Sequence, residues 1–196
     1  VPNIVFVLSI DKTQLGFAIR GVYGSDRIDS EEYLRRFIDL EYSIPEPEKG
    51  SYYKYLYDYF DFDSFLISPQ RDQYSEFQND KEDFLKISKL LFDSNSVSLR
   101  QQEKIFSHAR IALRTFNANV YVVPMVYLLL TYIKVIDHNL YNEIKSKSLT
   151  IQELQQRLYS IFKNSITEEV ERDLMRLEVY LILYYNNFLY TIHDRS

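Results

Sequence analysis

The segment Asn3-Ile4-Val5-Phe6-Val7-Leu8-Ser9-Ile10 is a continuous β-branched and aromatic run without polar alternation. A strand of this pattern is covered on both faces, as in a parallel sheet, and needs neighbouring strands. After Asp11, the residues Lys12 to Arg20 repeat apolar groups at helical spacing, so run and successor read as a βα unit that Gly21 to Ser25 brings to an end. Asp29 stands where it caps a second short helix, with Glu32 three residues on and Tyr33-Leu34-Arg35-Arg36-Phe37 continuing it. Ile38-Asp39-Leu40-Glu41-Tyr42-Ser43-Ile44 then alternates like a half-covered strand until Pro45 and Pro47 stop it. Two strands cannot cover both faces of the first, and no further strand is evident downstream. The rest of the sheet is therefore expected before residue 1 or in another chain, which makes this sequence the C-terminal part of a larger protein.

From Glu46 onward the signals are helical. The chain of 196 residues has 4 glycines against 18 tyrosines and 13 phenylalanines, so it has few turns and many bulky packing groups. Tyr52, Tyr53, Tyr55, Leu56, Tyr59, Phe60, Phe62 and Phe65 predict one aromatic helix of about 12 to 16 residues. Its tyrosines read as packing groups with wet hydroxyls rather than as a base-stacking platform. Gln70 to Asp80 reads as a polar loop, and Phe84, Leu85, Ile87, Ser88 and Leu91 mark another helix. Ser98-Leu99-Arg100-Gln101 has capping-box spacing and opens a helix to about Phe116; Pro124 suits the first turn before Met125 to Ile136. Thr150-Ile151-Gln152-Glu153 and Ser165-Ile166-Thr167-Glu168 are two more capping boxes, introducing helices to about Lys163 and about Tyr190. The expected fold class is mainly α with a short α/β start, residues 1–48 forming the end of an α/β core and residues 49–196 a helical region.

Several classes of function are excluded. No cysteine is present to serve as thiol nucleophile or thiolate ligand, and His108, His138 and His193 have no paired spacing. No GxxxxGK[ST] phosphate loop occurs either, so the chain by itself has no phosphate cradle. A formal charge of −5 gives no overall field that would gather polyanions. The apolar run Val120 to Ile136 is broken by Pro124 and Lys134, and Leu177 to Tyr190 by Asn186 and Asn187, so neither offers the ~20 clean residues of a membrane span. With no signal-like start, the expected location is cytoplasmic.

Three polar features stand out by position. Asp11 ends the buried strand, where ligands of open α/β sheets bind; it serves either as a catalytic or sensing group or as the cap of the next helix through Thr13 or Gln14 amides. Arg35 and Arg36 precede the second strand, as functional cations or as a solvated face. In the helix from Leu99, the charges Arg100, Lys104, Arg110 and Arg114 fall on the side opposite Ile105, Phe106, Ala109 and Leu113. That face meets phosphates or is solvated, with Glu103 interrupting it.

These residues together resemble the KAP family of P-loop NTPases. Asn3 to Lys12, Ile19-Arg20-Gly21-Val22-Tyr23-Gly24, Tyr33-Leu34-Arg35-Arg36-Phe37-Ile38 and Ile44-Pro45-Glu46-Pro47 are similar, in order and spacing, to that family's "nvvFvLaiD" strand, helix, "YLxKI" helix and "lPxP" turn. Ser98-Leu99-Arg100-Gln101-Gln102-Glu103-Lys104 looks more loosely like its "spRevkR" helix start. The resemblance implies the last two parallel strands of a P-loop NTPase core followed by an all-helical lid and effector region. It implies a sensor-like role for Asp11 beside the Walker B strand, an arginine finger at Arg36 with Arg35 adjacent, and a lid arginine at Arg100 that reports nucleotide state. ATP and Mg2+ are the implied cofactors, held by a half carrying Walker A and Walker B that this sequence lacks, so ATP hydrolysis is expected only jointly with that half. A homo-oligomer and a protein effector are the implied partners, and upstream membrane segments would tether the protein to a membrane. Two other readings stand beside this one: a helical protein-interaction module without nucleotide dependence, and a nucleic-acid-binding helical region using Arg100, Lys104, Arg110 and Arg114.

Overall fold

The computed structural model describes residues 5–24, 29–43, 51–93, 97–117, 122–163 and 168–193. The chain divides into two compact units, Val1–Glu46 and Pro47–Ser196.

In the first unit, helix α1 (Lys12–Tyr23) starts at Asp11, whose side chain accepts from the Gln14 amide, and ends at Gly24 with φ 90°. A side chain would be strained at that φ, which is why the helix runs through Gly21 and stops three residues later than the sequence suggests. Helix α2 (Ser30–Arg35) is capped by Asp29, which accepts from the Glu31 and Glu32 amides. The two helices pack through buried Ile19 and Leu34. Gly16 of α1 faces Ser30 so closely that a β-carbon would lie 3.0 Å from the serine hydroxyl. Tyr23, Tyr33 and Phe37 close one end with rings 5.2 to 5.7 Å apart.

Neither strand expected at the start of the chain is present: among the described residues none is in a strand, and the architecture is helical. Residues 5–10 and 38–43 have no ladder partner, and Val5, Phe6 and Val7 are 82 to 90% exposed. The physical reason is that an apolar run encodes the surroundings a strand suits, whereas the strand itself exists only when hydrogen-bonded to another edge.

The second unit is a helical assembly with one continuous core. Its elements are α3 (Tyr52–Tyr59), α4 (Asp63–Leu66), α5 (Pro69–Asp72), a 3-10 turn (Ser75–Phe77), α6 (Asp80–Asp93), α7 (Leu99–Arg114), α8 (Pro124–Ile136), α9 (His138–Ser146), α10 (Ile151–Phe162) and α11 (Glu168–His193). Helix α8 packs on α6, α7, α9 and α11, as its largely apolar circumference requires. The single long aromatic helix expected from Tyr52 is instead two, because Asp61 adopts a left-handed φ of 53° and turns the chain. Asp tolerates that conformation better than a bulky residue, and the turn drives Phe62 into the core. Phe62, Phe84 and Phe106 meet there with ring centres 4.7 to 5.8 Å apart. Tyr53 and Tyr57 are buried, while Tyr52, Tyr55 and Tyr59 stack on one another along the outer side of α3.

Capping boxes open α7 at Ser98 and α10 at Thr150, each with its third-position side chain returning to the cap amide. The Ser165 box lies outside the described residues. Helix α9 has no counterpart in the sequence reading; Asp137 caps it through the Leu140 amide, and Lys147 ends it in the left-handed region at φ 57°. Near that end the Tyr185 hydroxyl of α11 donates to the Leu149 carbonyl at 2.7 Å and accepts from the Leu149 amide at 3.0 Å. Lys147 donates to the Tyr185 carbonyl and lies 4.1 Å over its ring.

Candidate functional site

Asp11, Arg35 and Arg36 belong to the first unit and Arg100 to the second. Asp11 is exposed and uses Oδ1 for the α1 cap, 3.0 Å from the Gln14 nitrogen. Arg35 is the last residue of α2 and Arg36 its C-cap, where a cation complements the partial negative charge of the exposed carbonyls. Both side chains are exposed, and among the described residues neither is in an ion pair. Arg100 lies in the first turn of α7, exposed, beside the Ser98 cap. A cation there opposes the helix dipole, so the helix itself gains nothing from this charge.

The four-membered basic face of α7 is reduced to three members. Arg110 is buried: its Nε donates to the Phe60 carbonyl at 2.8 Å and its Nη2 to the Ser64 hydroxyl at 2.6 Å, with Asp61 4.0 Å away. The guanidinium thereby satisfies the turn between α3 and α4 and is unable to contact a phosphate. Helical spacing placed it opposite the apolar stripe, but the Asp61 turn brings protein over that side as well.

The most concentrated chemistry in the second unit starts in the stretch Gln70 to Asp80, which has the sequence of a polar loop. Arg71, at the start of the expected polar loop, is fully buried, with its guanidinium 4.8 Å from the Phe65 ring centre and 3.9 Å from that of Phe77. It donates to the Asp80 carboxylate and, at 3.1 Å, to the Val122 carbonyl. One turn along α6, Asp83 accepts from Arg176 of α11. Burial, outweighing Arg71, pushes the Asp80 carboxyl up to about 6. Burial also raises Asp83 against the lowering influence of Arg176. These four residues tie α5, α6, the entry to α8 and α11 together. A signal was available in the arginine flanked by Phe65 and Phe77 ahead of two carboxylates three residues apart, although it does not by itself separate a buried staple from a solvated turn.

Among the described residues, no three His, Asp or Glu side chains are grouped to hold a metal ion, and no helix is long and apolar enough to cross a membrane. Comparison of the chain with protein families, with curated proteins and with solved structures returns no match in any of the three.

Proposed function

We propose that this chain is the C-terminal part of a KAP-type P-loop ATPase. In this reading residues 3–44 complete a nucleotide-binding sheet whose Walker A and Walker B strands lie outside this sequence, and the helices from Tyr52 onward form its lid and effector region. The observation that carries the reading is the apolar run 5–10: it has no strand partner among the described residues, is largely exposed, and leads directly into α1 through the cap at Asp11. A run of this composition gains from burial on both faces, about 25 cal/mol for each Å² removed from water, which adjoining strands and helices of a core would supply.

The residues present fit a supporting role toward ATP and Mg2+ rather than a holding one. Arg36 and Arg35, in no ion pair among the described residues, offer guanidinium forks that suit bidentate contact with phosphoryl oxygens. Asp11 retains Oδ2 outside its cap bond for orienting a water. ATP·Mg2+, once held by the Walker half, supplies the phosphoryl group and the charge neutralisation. Arg36 would stabilise charge that develops on a neighbouring subunit's nucleotide, and Arg100 would report nucleotide state in cis through a contact with the phosphates.

The test is ATP turnover by this chain joined to a Walker A/B half. Arg36→Ala is expected to slow hydrolysis by ~10³ or more with little change in ATP affinity, since arginine fingers act in the transition state. Wild-type turnover in Arg36→Ala and Arg35→Ala would overturn the assignment. The nucleic-acid reading loses one of its four cations with the burial of Arg110.

A further inference from the structure

Tyr55 and Tyr59 stand on the outer side of α3, where residues four apart are surface neighbours. Their ring centres lie 5.7 Å apart with planes at 25°, and Tyr55 lies in the same way against Tyr52, at 5.8 Å and 24°. Tyr55 is 56% exposed and Tyr59 63%. Among the described residues neither hydroxyl has a hydrogen-bond partner. The helix therefore holds two phenols side by side, both open to a dissolved oxidant and neither used by the fold.

The other tyrosines near them are placed differently. Tyr57 is buried and donates its hydroxyl to Asp63, and burial together with that bond pushes its phenol up. Tyr52 is half-buried, and burial with the Glu103 charge makes its phenol hold its proton more tightly. Tyr159 is 60% exposed but has no tyrosine ring beside it among the described residues. In the first unit Tyr23 and Tyr33 are also neighbours, but their rings are tilted by 44°, and the Tyr33 phenol is pushed up by its hydrogen bond with Tyr23.

We propose that Tyr55 and Tyr59 are an oxidative modification site, joined by hydrogen peroxide acting through a haem peroxidase into a dityrosine that staples one turn of α3. Each phenol gives up one electron and one proton to become a tyrosyl radical. The radicals form a carbon–carbon bond between the ring positions next to the two hydroxyls, and the hydrogen on each of those carbons moves to the oxygen, which restores both aromatic rings. Two hydrogen atoms leave in all, and they reduce one peroxide to two waters. Placement on one helix replaces the encounter that two separate chains would need. The remaining approach, from 5.7 Å to bonding distance, is a matter of rotamer motion in exposed side chains. The proposal is independent of the ATPase reading, since it uses only α3.

The test is to treat the dilute chain with a haem peroxidase and hydrogen peroxide, isolate the monomer band from a denaturing gel and digest it with trypsin. Cleavage after Lys54 and Arg71 gives a peptide of residues 55–71. That peptide is expected to be lighter by the mass of two hydrogen atoms, to show dityrosine fluorescence, and to yield no fragments from backbone breaks between Tyr55 and Tyr59. Tyr55→Phe and Tyr59→Phe, exposed changes that remove no hydrogen bond among the described residues, should each lower the yield of this product at least ~tenfold, because the ring left behind has lost its coupling partner. Tyr52→Phe and Tyr159→Phe should leave the yield unchanged, and circular dichroism should show all four variants folded. Dityrosine found only in covalent dimers, an undiminished yield in folded Tyr55→Phe or Tyr59→Phe, peptide 55–71 joined instead to peptide 50–54 through Tyr52, or an unmodified peptide after complete peroxide turnover would each overturn the proposal.

Discussion

Arg176 on α11 donates a hydrogen bond to Asp83 on α6, joining two helices 93 residues apart in the chain. Asp83 is the buried partner and Arg176 the half-exposed one, so removing the arginine leaves a carboxylate in a site that was built around its charge. Arg176→Ala is expected to cost about 2 kcal/mol, the range of a hydrogen bond to a charged group left unmade. In a chain of this size that lowers the melting temperature by roughly 4 to 8 °C, readable by circular dichroism. Arg176→Lys should recover part of the loss.

Asp80 makes a second prediction, on pH. Its folded-state value is about 6, above the ordinary 3.8, so the folded protein binds more protons between the two values. The contribution of Asp80 to stability is therefore fully present below about 3.8 and is lost as pH rises through about 6. Urea denaturation of wild type and Asp80→Asn at intervals from pH 4 to pH 7 isolates the term. The stability difference, wild type minus variant, should fall steadily with rising pH across that window, and a flat difference would contradict the burial of this carboxylate.

The basic residues of α7 should separate into two kinds. Arg110→Ala leaves the Phe60 carbonyl and the Ser64 hydroxyl without their donor and should destabilise the fold by about 1 to 3 kcal/mol. Arg100→Ala, on the exposed first turn, should leave stability within about 0.5 kcal/mol, and in the joined ATPase it should change ATP affinity or turnover. Lys104→Ala and Arg114→Ala should alter neither.

The exposed run at residues 5–10 predicts self-association of the chain studied alone. Val5→Lys combined with Val7→Asp, which places charges on the run, should shift sedimentation toward monomer without lowering the melting temperature of the helical unit. Unchanged sedimentation would show that another surface drives association. The isolated chain should also hydrolyse no ATP and bind it at best at millimolar concentration, since its sequence carries no GxxxxGK[ST] phosphate loop.

What was legible in the sequence was local. Asp29, Ser98 and Thr150 announce helix starts because a cap is a bond between a side chain and amides two or three residues away, with nothing distant involved. Pro124 does the same for α8 through its fixed φ. Arg110 and Arg71 were not legible, since their roles depend on carbonyls and rings contributed by other elements: Phe60 and Ser64 for one, Asp80, Val122 and Phe77 for the other. The break at Asp61 was hidden for a similar reason, because an aromatic-rich stretch has helical spacing on either side of a single left-handed residue. For the strands the failure runs the other way: residues 5–10 have the composition of a buried strand, and the partner that would make them one is not among the described residues.

The two hydrogen bonds between the Tyr185 phenol and the Leu149 peptide work as a hinge pin with two fastenings. Because one bond donates and the other accepts, a rotation of α11 about its own axis cannot keep both while leaving the 147–150 turn in place. The turn has to travel with the helix, and with it the Thr150 cap that starts α10. Lys147, fastened to the Tyr185 carbonyl and lying over its ring, blocks slippage along the axis in the same way. The same contacts therefore tie α11 at Tyr185 to the turn that ends α9 and leads into α10. Tyr185→Phe removes both of these bonds but keeps the ring and the backbone carbonyl, so Lys147 remains as the one fastening between α11 and the turn.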